Sequence, residues 1–211
     1  MKLPASAAAF LCAFLPVSSA FAAPRTADFE RKAPDRATAR IVAPRPFNLV
    51  GLNWRGDAAP DVHMRARRHS GWTRWREVGV HGAGGSDPVW VGRARVLQYR
   101  LSRRVPGLRL HFVSVGKPRV RARAGQTANT PFPYVTREQW GADQCPPRAA
   151  PDYGEVKAVA VHHTVSLNDY TREEAPQIVL AICRYHRNSN GWNDIGYNAL
   201  VDRFGTIYEG R

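Results

Sequence analysis

Two adjacent histidines, His162 and His163, are the residues of this chain with the clearest capacity for chemistry. They lie at the end of residues 157–164, a run without acidic residues and with a β-branched centre, which predicts a strand. Side chains alternate on a strand, so the two imidazoles are predicted to point to opposite faces, and only one can bind a given metal ion. His162 shares its side with the small residues Ala158 and Ala160. This favours His162 as a ligand, although two histidines without other signals are more often structural.

A helix is predicted after the histidine pair. Thr171 and Glu174 match a capping box, while Pro176 allows the alternative that the helix begins at that proline. Ile178, Ile182 and Tyr185 recur at helical spacing, and a second stripe ends at His186. A single histidine on such a helix is typically packed or capping.

A hairpin is predicted next, and it carries a tyrosine. Residues 197–201 and 206–209 have strand character, and the turn residues 202–205 separate them. Tyr197 begins the first of these strands. It is either a core residue or a hydrogen-bond donor in a site, because a phenol donates a directed hydrogen bond and stays neutral at working pH.

Four short motifs occur in order within residues 135–211: Trp140-Gly141-Ala142, Val161-His162-His163-Thr164, Gly191 through Asn198, and Ile207 through Arg211. In their order and residue types, these motifs resemble those of the peptidoglycan recognition proteins and the zinc-dependent N-acetylmuramoyl-L-alanine amidases of bacteria and phages. The resemblance implies an α/β amidase domain, a mixed sheet flanked by helices, over residues 134–211. It also implies that a zinc-activated water hydrolyses the amide between N-acetylmuramic acid and L-alanine.

The same resemblance assigns roles to individual residues. His162, the first histidine of the pair, corresponds to a zinc ligand, Tyr197 to the catalytic tyrosine beside the metal, and His186 to a residue of the substrate groove. The remaining ligands are expected beyond Arg211, so the domain is predicted to be incomplete at its C-terminus. The alternative function is a peptidoglycan-binding recognition module that does not cut its ligand.

The resemblance also bears on which stem peptide is bound. Gly191, Trp192 and Arg211 fill positions that, in the resembled family, accompany diaminopimelate-containing stems. A guanidinium can hold the extra carboxylate of such a stem in bidentate fashion. The alternative is an arginine that only closes a salt bridge in a turn.

The N-terminus and the cysteines indicate an exported protein. Residues 1–22 have a basic start, an apolar stretch and a small-x-small end, as in a secretory signal peptide, with a retained anchor as the alternative. The mature chain is therefore predicted to be secreted, in the cell wall or periplasm. An oxidising compartment favours a disulfide between Cys145 and Cys183. Metal ligation by Cys183 and His186 remains the competing interpretation.

Positive charge is concentrated in the first half of the chain. Residues 23–127 contain 22 Lys and Arg against 7 Asp and Glu, whereas residues 128–211 contain 8 against 10. Such a field attracts polyanions, here anionic wall polymers. Nucleic acid is not expected for an exported chain without a nucleic-acid-binding motif. The alternative is a solvated surface that only maintains solubility.

Residues 23–46 are predicted to be a flexible lead-in, residues 47–116 a small all-β accessory domain, and residues 117–133 a linker. Trp72 and Trp75 alternate with arginines in the β-rich part. Their rings either fill a core or stack on sugar rings.

Overall fold

The computed structural model describes residues 26–81, 84–116, 133–164 and 168–211. The predicted signal peptide and nearly all of the predicted linker lie outside these ranges. The N-terminal strands are β1 (Ala27–Lys32), β2 (Thr38–Asn53), β3 (Val62–Arg68), β4 (Gly71–Trp72), β5 (Arg76–Val78), β6 (Val80–His81), β7 (Gly85–Ser86), β8 (Val89–Leu101) and β9 (Arg109–Ser114). The C-terminal elements are α1 (Arg137–Trp140), a 3-10 turn (Ala142–Gln144), α2 (Ala175–Asn188), β10 (Ala199–Val201) and β11 (Ile207–Glu209).

The N-terminal part is an antiparallel sheet with the order β1-β9-β2-β8-β3-β4, to which the short strands β5 to β7 attach. The long strand β2 pairs with β8 along most of its length and with β9 at its end. Its register with β8 shifts between Val42 and Phe47, around Pro44 and Pro46, as prolines in a strand require. The alternating apolar residues of β2, β3, β8 and β9 form one buried cluster. The accessory all-β region is therefore present.

The N-terminal boundary of this region differs from the prediction. Residues 27–32 form β1 and residues 38–46 form the first half of β2, so most of the described part of the predicted flexible lead-in is sheet. The segment is polar and rich in proline, but residues 27–32 pair with β9 and residues 38–42 pair with β8. Backbone pairing to a distant strand outweighs local composition here.

The C-terminal part consists of helix α2, the short helix α1 and the hairpin β10–β11. Helix α1 begins with a capping box in which Thr136 and Gln139 exchange hydrogen bonds. The Trp140 indole donates to the backbone oxygen of Glu209 at 2.8 Å, which ties α1 to β11. The predicted hairpin is confirmed, with Leu200 opposite Tyr208. Its first strand begins at Ala199, so the expectation that Tyr197 begins this strand is wrong, because the backbone pairing with β11 starts only at Ala199. The predicted helix is also confirmed and begins at Ala175, with Pro176 in its first turn.

Helix α2 packs against the sheet, on the side away from the first core. A second buried cluster combines Leu49, Trp90 and Val113 of the sheet with apolar residues of α1 and α2. Arg184 of α2 forms a salt bridge with Asp28 of β1. The Tyr185 hydroxyl donates to Asn53 Oδ1 at 3.1 Å. The two halves of the sequence therefore share this second core.

The strand predicted over residues 157–164 is wrong. Residues 151–164 have no regular secondary structure, and Val159 and Val161 are 88% and 100% exposed. A strand needs a partner for its backbone groups, and none of the described strands pairs with this segment. The described C-terminal residues thus contain a two-stranded hairpin in place of the expected mixed sheet. No helix within the described ranges has the length and apolar character needed to cross a membrane.

Candidate functional site

A cleft of about 1320 Å³ lies between the β-sheet and the C-terminal part of the chain. Segments distant in sequence meet here, namely the loop at residues 156–164, helix α2, and the segment from Trp192 to Ala199. Four of the predicted site residues line it together: His162, His186, Trp192 and Tyr197.

His162 and Tyr197 make the central contact of the cleft. His162 Nδ1 lies 3.1 Å from the Tyr197 hydroxyl, and the direction of this hydrogen bond depends on the tautomer of the imidazole. His163 also lines the cleft, with its ring 5.4 Å from that of His162. The strand-based expectation that the two histidines face opposite ways fails, because both lie on an irregular loop.

The rings of His186 and Trp192 pack against each other beside Tyr197. The His186 ring is 4.6 Å from the Trp192 ring and 5.5 Å from the Tyr197 ring. Its Nδ1 accepts a hydrogen bond from the Gly196 backbone N–H at 3.0 Å. A side chain at position 196 would meet the Trp192 ring at 2.5 Å, so glycine is needed for this packing. Trp192 remains 48% exposed and can contact a ligand.

Burial raises the pKa of Tyr197 above its ordinary value of 10, and the nearby Asp87 carboxylate raises this pKa further. The phenol therefore keeps its proton throughout the neutral range. A protonated phenol beside an imidazole can donate a hydrogen bond to a carbonyl or to a developing oxyanion in the cleft.

The β-sheet supplies one wall of the cleft, which the sequence did not indicate. Asn53, Ser86 and Asp87 line it from the ends of β2 and β7. The Ser86 hydroxyl accepts from the Leu52 N–H and donates to the Asp87 backbone oxygen, which fixes this wall. No motif marks these residues, because only the docking of α2 on the sheet brings them to the site.

The remaining predicted site residues lie around the cleft. Gly191 has a φ of 75°, which lets the chain reverse direction between α2 and Trp192. Arg211 is exposed and does not line the cleft, and its backbone N–H donates to the backbone carbonyl oxygen of Tyr197 at 3.0 Å. Cys145 and Cys183 form a disulfide that joins the 3-10 turn to α2.

The resemblance implies a catalytic zinc ion at this site. Among the described residues, no group of three or more His, Cys, Asp or Glu side chains could hold a metal. His162 offers one imidazole, whereas a catalytic zinc takes three protein ligands. Cys183 is committed to the disulfide. The described residues therefore do not make a zinc site on their own.

These features define a chain in which a β-sheet domain and a helix–hairpin unit enclose an aromatic cleft. The family described as Rv3811 N-terminal galactose-binding domain-like matches residues 13–133, which is more than half of the sequence. The chain belongs to this family.

Peptidoglycan recognition proteins are also similar to the chain, at modest identity over part of it. Protein SA of Drosophila melanogaster is 35% identical over 105 residues, which are 49% of this chain and 48% of that protein. Protein SC1a of the same organism is 41% identical over 51 residues, 24% of this chain and 28% of that protein. Protein 1 of Mus musculus is 32% identical over 79 residues, 36% of this chain and 42% of that protein. The chain thus spans less than half the length of these relatives.

Proposed function

We propose that the chain binds peptidoglycan stem peptides in the cleft between the β-sheet and α2. The observation that carries this proposal is the convergence of His162, His186, Trp192 and Tyr197 on one cavity from separate segments. The cavity exceeds the usual volume of small-ligand pockets and combines aromatic surface with a few directed polar groups. The similarity to peptidoglycan recognition proteins supports the choice of ligand.

Trp192 provides the direct test of binding. Trp192→Ala removes a half-exposed ring from the cleft, and we expect affinity for soluble muropeptides to fall about tenfold, or ~1.4 kcal/mol. Isothermal titration calorimetry measures this change. The control is Tyr153→Ala, which removes an 88% exposed ring that does not line the cleft and should leave binding unchanged. Equal affinities for the two variants would refute binding in this cleft.

Hydrolysis of the amide between N-acetylmuramic acid and L-alanine is the second candidate function. The contact between His162 and the protonated Tyr197 favours it, because this pair can hold and donate a proton next to a bound carbonyl. A bound zinc would supply an activated water, and His162 is the one described residue proposed as its ligand. Further ligands would have to come from outside the described residues.

Tyr197→Phe separates the two functions. It keeps the ring contact with His186 but removes the hydroxyl, so muropeptide binding should change by less than about fivefold. If the site is catalytic, release of stem peptide, followed by chromatography and mass spectrometry, should fall far more than binding does. Release that is undetectable in the unmodified chain, with and without added zinc, would leave only the recognition function.

The finer assignments are part of the same proposal. We also propose secretion to the cell wall or periplasm, on the basis of the predicted signal peptide. We further propose a preference for stem peptides that contain diaminopimelate, with the exposed side chain of Arg211 binding the extra carboxylate; the backbone of Arg211 is hydrogen-bonded to that of Tyr197, which lines the cleft. Arg211→Gln should reduce affinity for diaminopimelate-type muropeptides more than for lysine-type ones. Equal losses on both would assign Arg211 a structural role.

A further inference from the structure

A second surface, whose residues do not line the cleft, combines aromatic rings with cations that form no ion pair among the described residues. On the outer face of the sheet, Arg65 lies between two tryptophans, with its guanidinium carbon 4.6 Å from the Trp72 ring and 4.7 Å from the Trp75 ring. The guanidinium carbon of Arg100 lies 4.1 Å from the centre of the same Trp75 ring. We call these four residues the arginine–tryptophan ladder.

The register of the sheet extends the positive charge of the ladder. Arg65 is opposite Gln98 on β8, which in turn is opposite Arg40 on β2, so these side chains share one face. Arg67 lies two residues further along β3, about 6.7 Å away, and is opposite Trp72. Arg40, Arg67 and Arg100 are exposed. The face thus carries a row of cations across three strands.

This charge has little internal compensation. None of the ion pairs among the described residues includes Arg40, Arg65, Arg67 or Arg100. One carboxylate, that of Glu77, lies at the edge of the face, opposite His63. Stacking and the hydrogen bond from Arg65 Nε to Gln98 Oε1 at 2.6 Å hold the Arg65 guanidinium in place. The Arg65 guanidinium is therefore already ordered in the free protein, so binding a ligand costs less conformational entropy.

We infer that the arginine–tryptophan ladder binds a polysaccharide that carries carboxylate groups. Planar guanidinium groups match carboxylates in bidentate geometry, and the half-exposed Trp72 ring offers a flat apolar face to a sugar ring. A lipid surface fits less well, because among the described residues this face offers only Val42 and Trp72 as exposed large apolar side chains. The site is independent of the cleft and of the function proposed for it.

The test uses the 211-residue chain and polygalacturonate, a carboxylate polysaccharide, followed by quenching of tryptophan fluorescence and by calorimetry. We expect binding that weakens as salt rises and that falls at least about fivefold in Arg65→Gln and in Trp72→Ala. The matched control is Arg104→Gln, which removes the same charge from the exposed loop after β8 and should change affinity less than twofold. Trp192→Ala should have no effect on this binding, and urea unfolding verifies that each variant is folded.

Several results would overturn the inference. If neutral dextran bound as tightly as polygalacturonate, a role of charge in binding would be excluded. If phosphatidylglycerol vesicles or duplex DNA bound more tightly than polygalacturonate, and this binding also depended on Arg65 and Trp72, the face would be assigned to a lipid or a nucleic acid. If the Arg65→Lys variant bound polygalacturonate as well as the unmodified chain does, charge without the stacked planar group would be sufficient for binding.

Discussion

Tyr197 is the residue that connects the exposed histidine loop to the folded body. His162 lies on a segment without regular structure, and its hydrogen bond to the Tyr197 hydroxyl is a direct link to the packed residues. Tyr197 is itself half-buried against His186, which Gly196 and Trp192 hold in place. The position of His162 therefore depends on a chain of contacts that begins in helix α2.

Sequence reasoning selected His162 over His163, and His162 is the histidine that contacts Tyr197. The small neighbours Ala158 and Ala160 favoured His162 only if this segment were a strand, and it is an irregular loop; the family resemblance favours His162 independently of the strand. Asn53, Ser86 and Asp87 could not be identified from the sequence, because they reach the cleft only through contacts between distant parts of the chain.

Tyr185 predicts how stability responds to alkaline pH. Burial raises its pKa from 10.0 to about 12. The folded state keeps this proton to a higher pH than the unfolded chain, so the group leaves stability unchanged below about pH 10. Between pH 10 and 12 it should lower the free energy of unfolding by about 2–3 kcal/mol. Urea unfolding over this range measures the decrease, which should be smaller in Tyr185→Phe.

The exposed Tyr153 supplies the comparison for this titration. Tyr153→Phe should keep the full alkaline decrease of the unmodified chain, because an 88% exposed phenol is already in contact with solvent in the folded state. If Tyr185→Phe and Tyr153→Phe gave the same pH dependence, the burial of Tyr185 would not be its cause.

Among the elements, helix α2 depends on the disulfide between Cys183 and Cys145. The bridge closes a sequence separation of 38 residues, and the chain-entropy model assigns such a loop about 3–4 kcal/mol. Reduction of the disulfide should therefore lower the urea midpoint of unfolding when all other conditions are kept constant. The double variant Cys145→Ala/Cys183→Ala should be less stable by a similar amount and insensitive to reductant. An unchanged midpoint on reduction would show that the bridge does not stabilise the fold.

Elements fixed by local signals were predictable, and those fixed by distant partners were not. The helix at Ala175–Asn188 and the hairpin around residues 202–205 carry their own periodicity and turn residues. Residues 27–32 look like a polar lead-in but become a strand through pairing with β9. Residues 157–164 have strand character but no partner among the described strands. A strand depends on its neighbour more than on its own sequence.

At the scale of the whole molecule, the two parts of the chain act as one structural unit. Helix α2 packs on Leu49, Trp90 and Val113 of the sheet, and Asn53 makes polar contacts with Tyr185 and Ser189 at the edge of this interface. The same interface forms a wall of the cleft. The accessory β-domain therefore helps to shape the proposed binding site, in addition to carrying the arginine–tryptophan ladder.

Gly51 tests whether this docking determines both stability and binding. A Cβ atom at Gly51 would lie 2.1 Å from the Tyr185 hydroxyl, so Gly51→Ala must displace the tyrosine or the helix. We expect a loss of about 1–3 kcal/mol in the free energy of unfolding, together with weaker muropeptide binding, because Tyr185 also lines the cleft. Gly154→Ala adds the same methyl group where no atom lies within 4 Å and should change neither quantity. Urea unfolding and calorimetry compare the two variants, and equal behaviour would mean that the sheet and α2 do not dock as described.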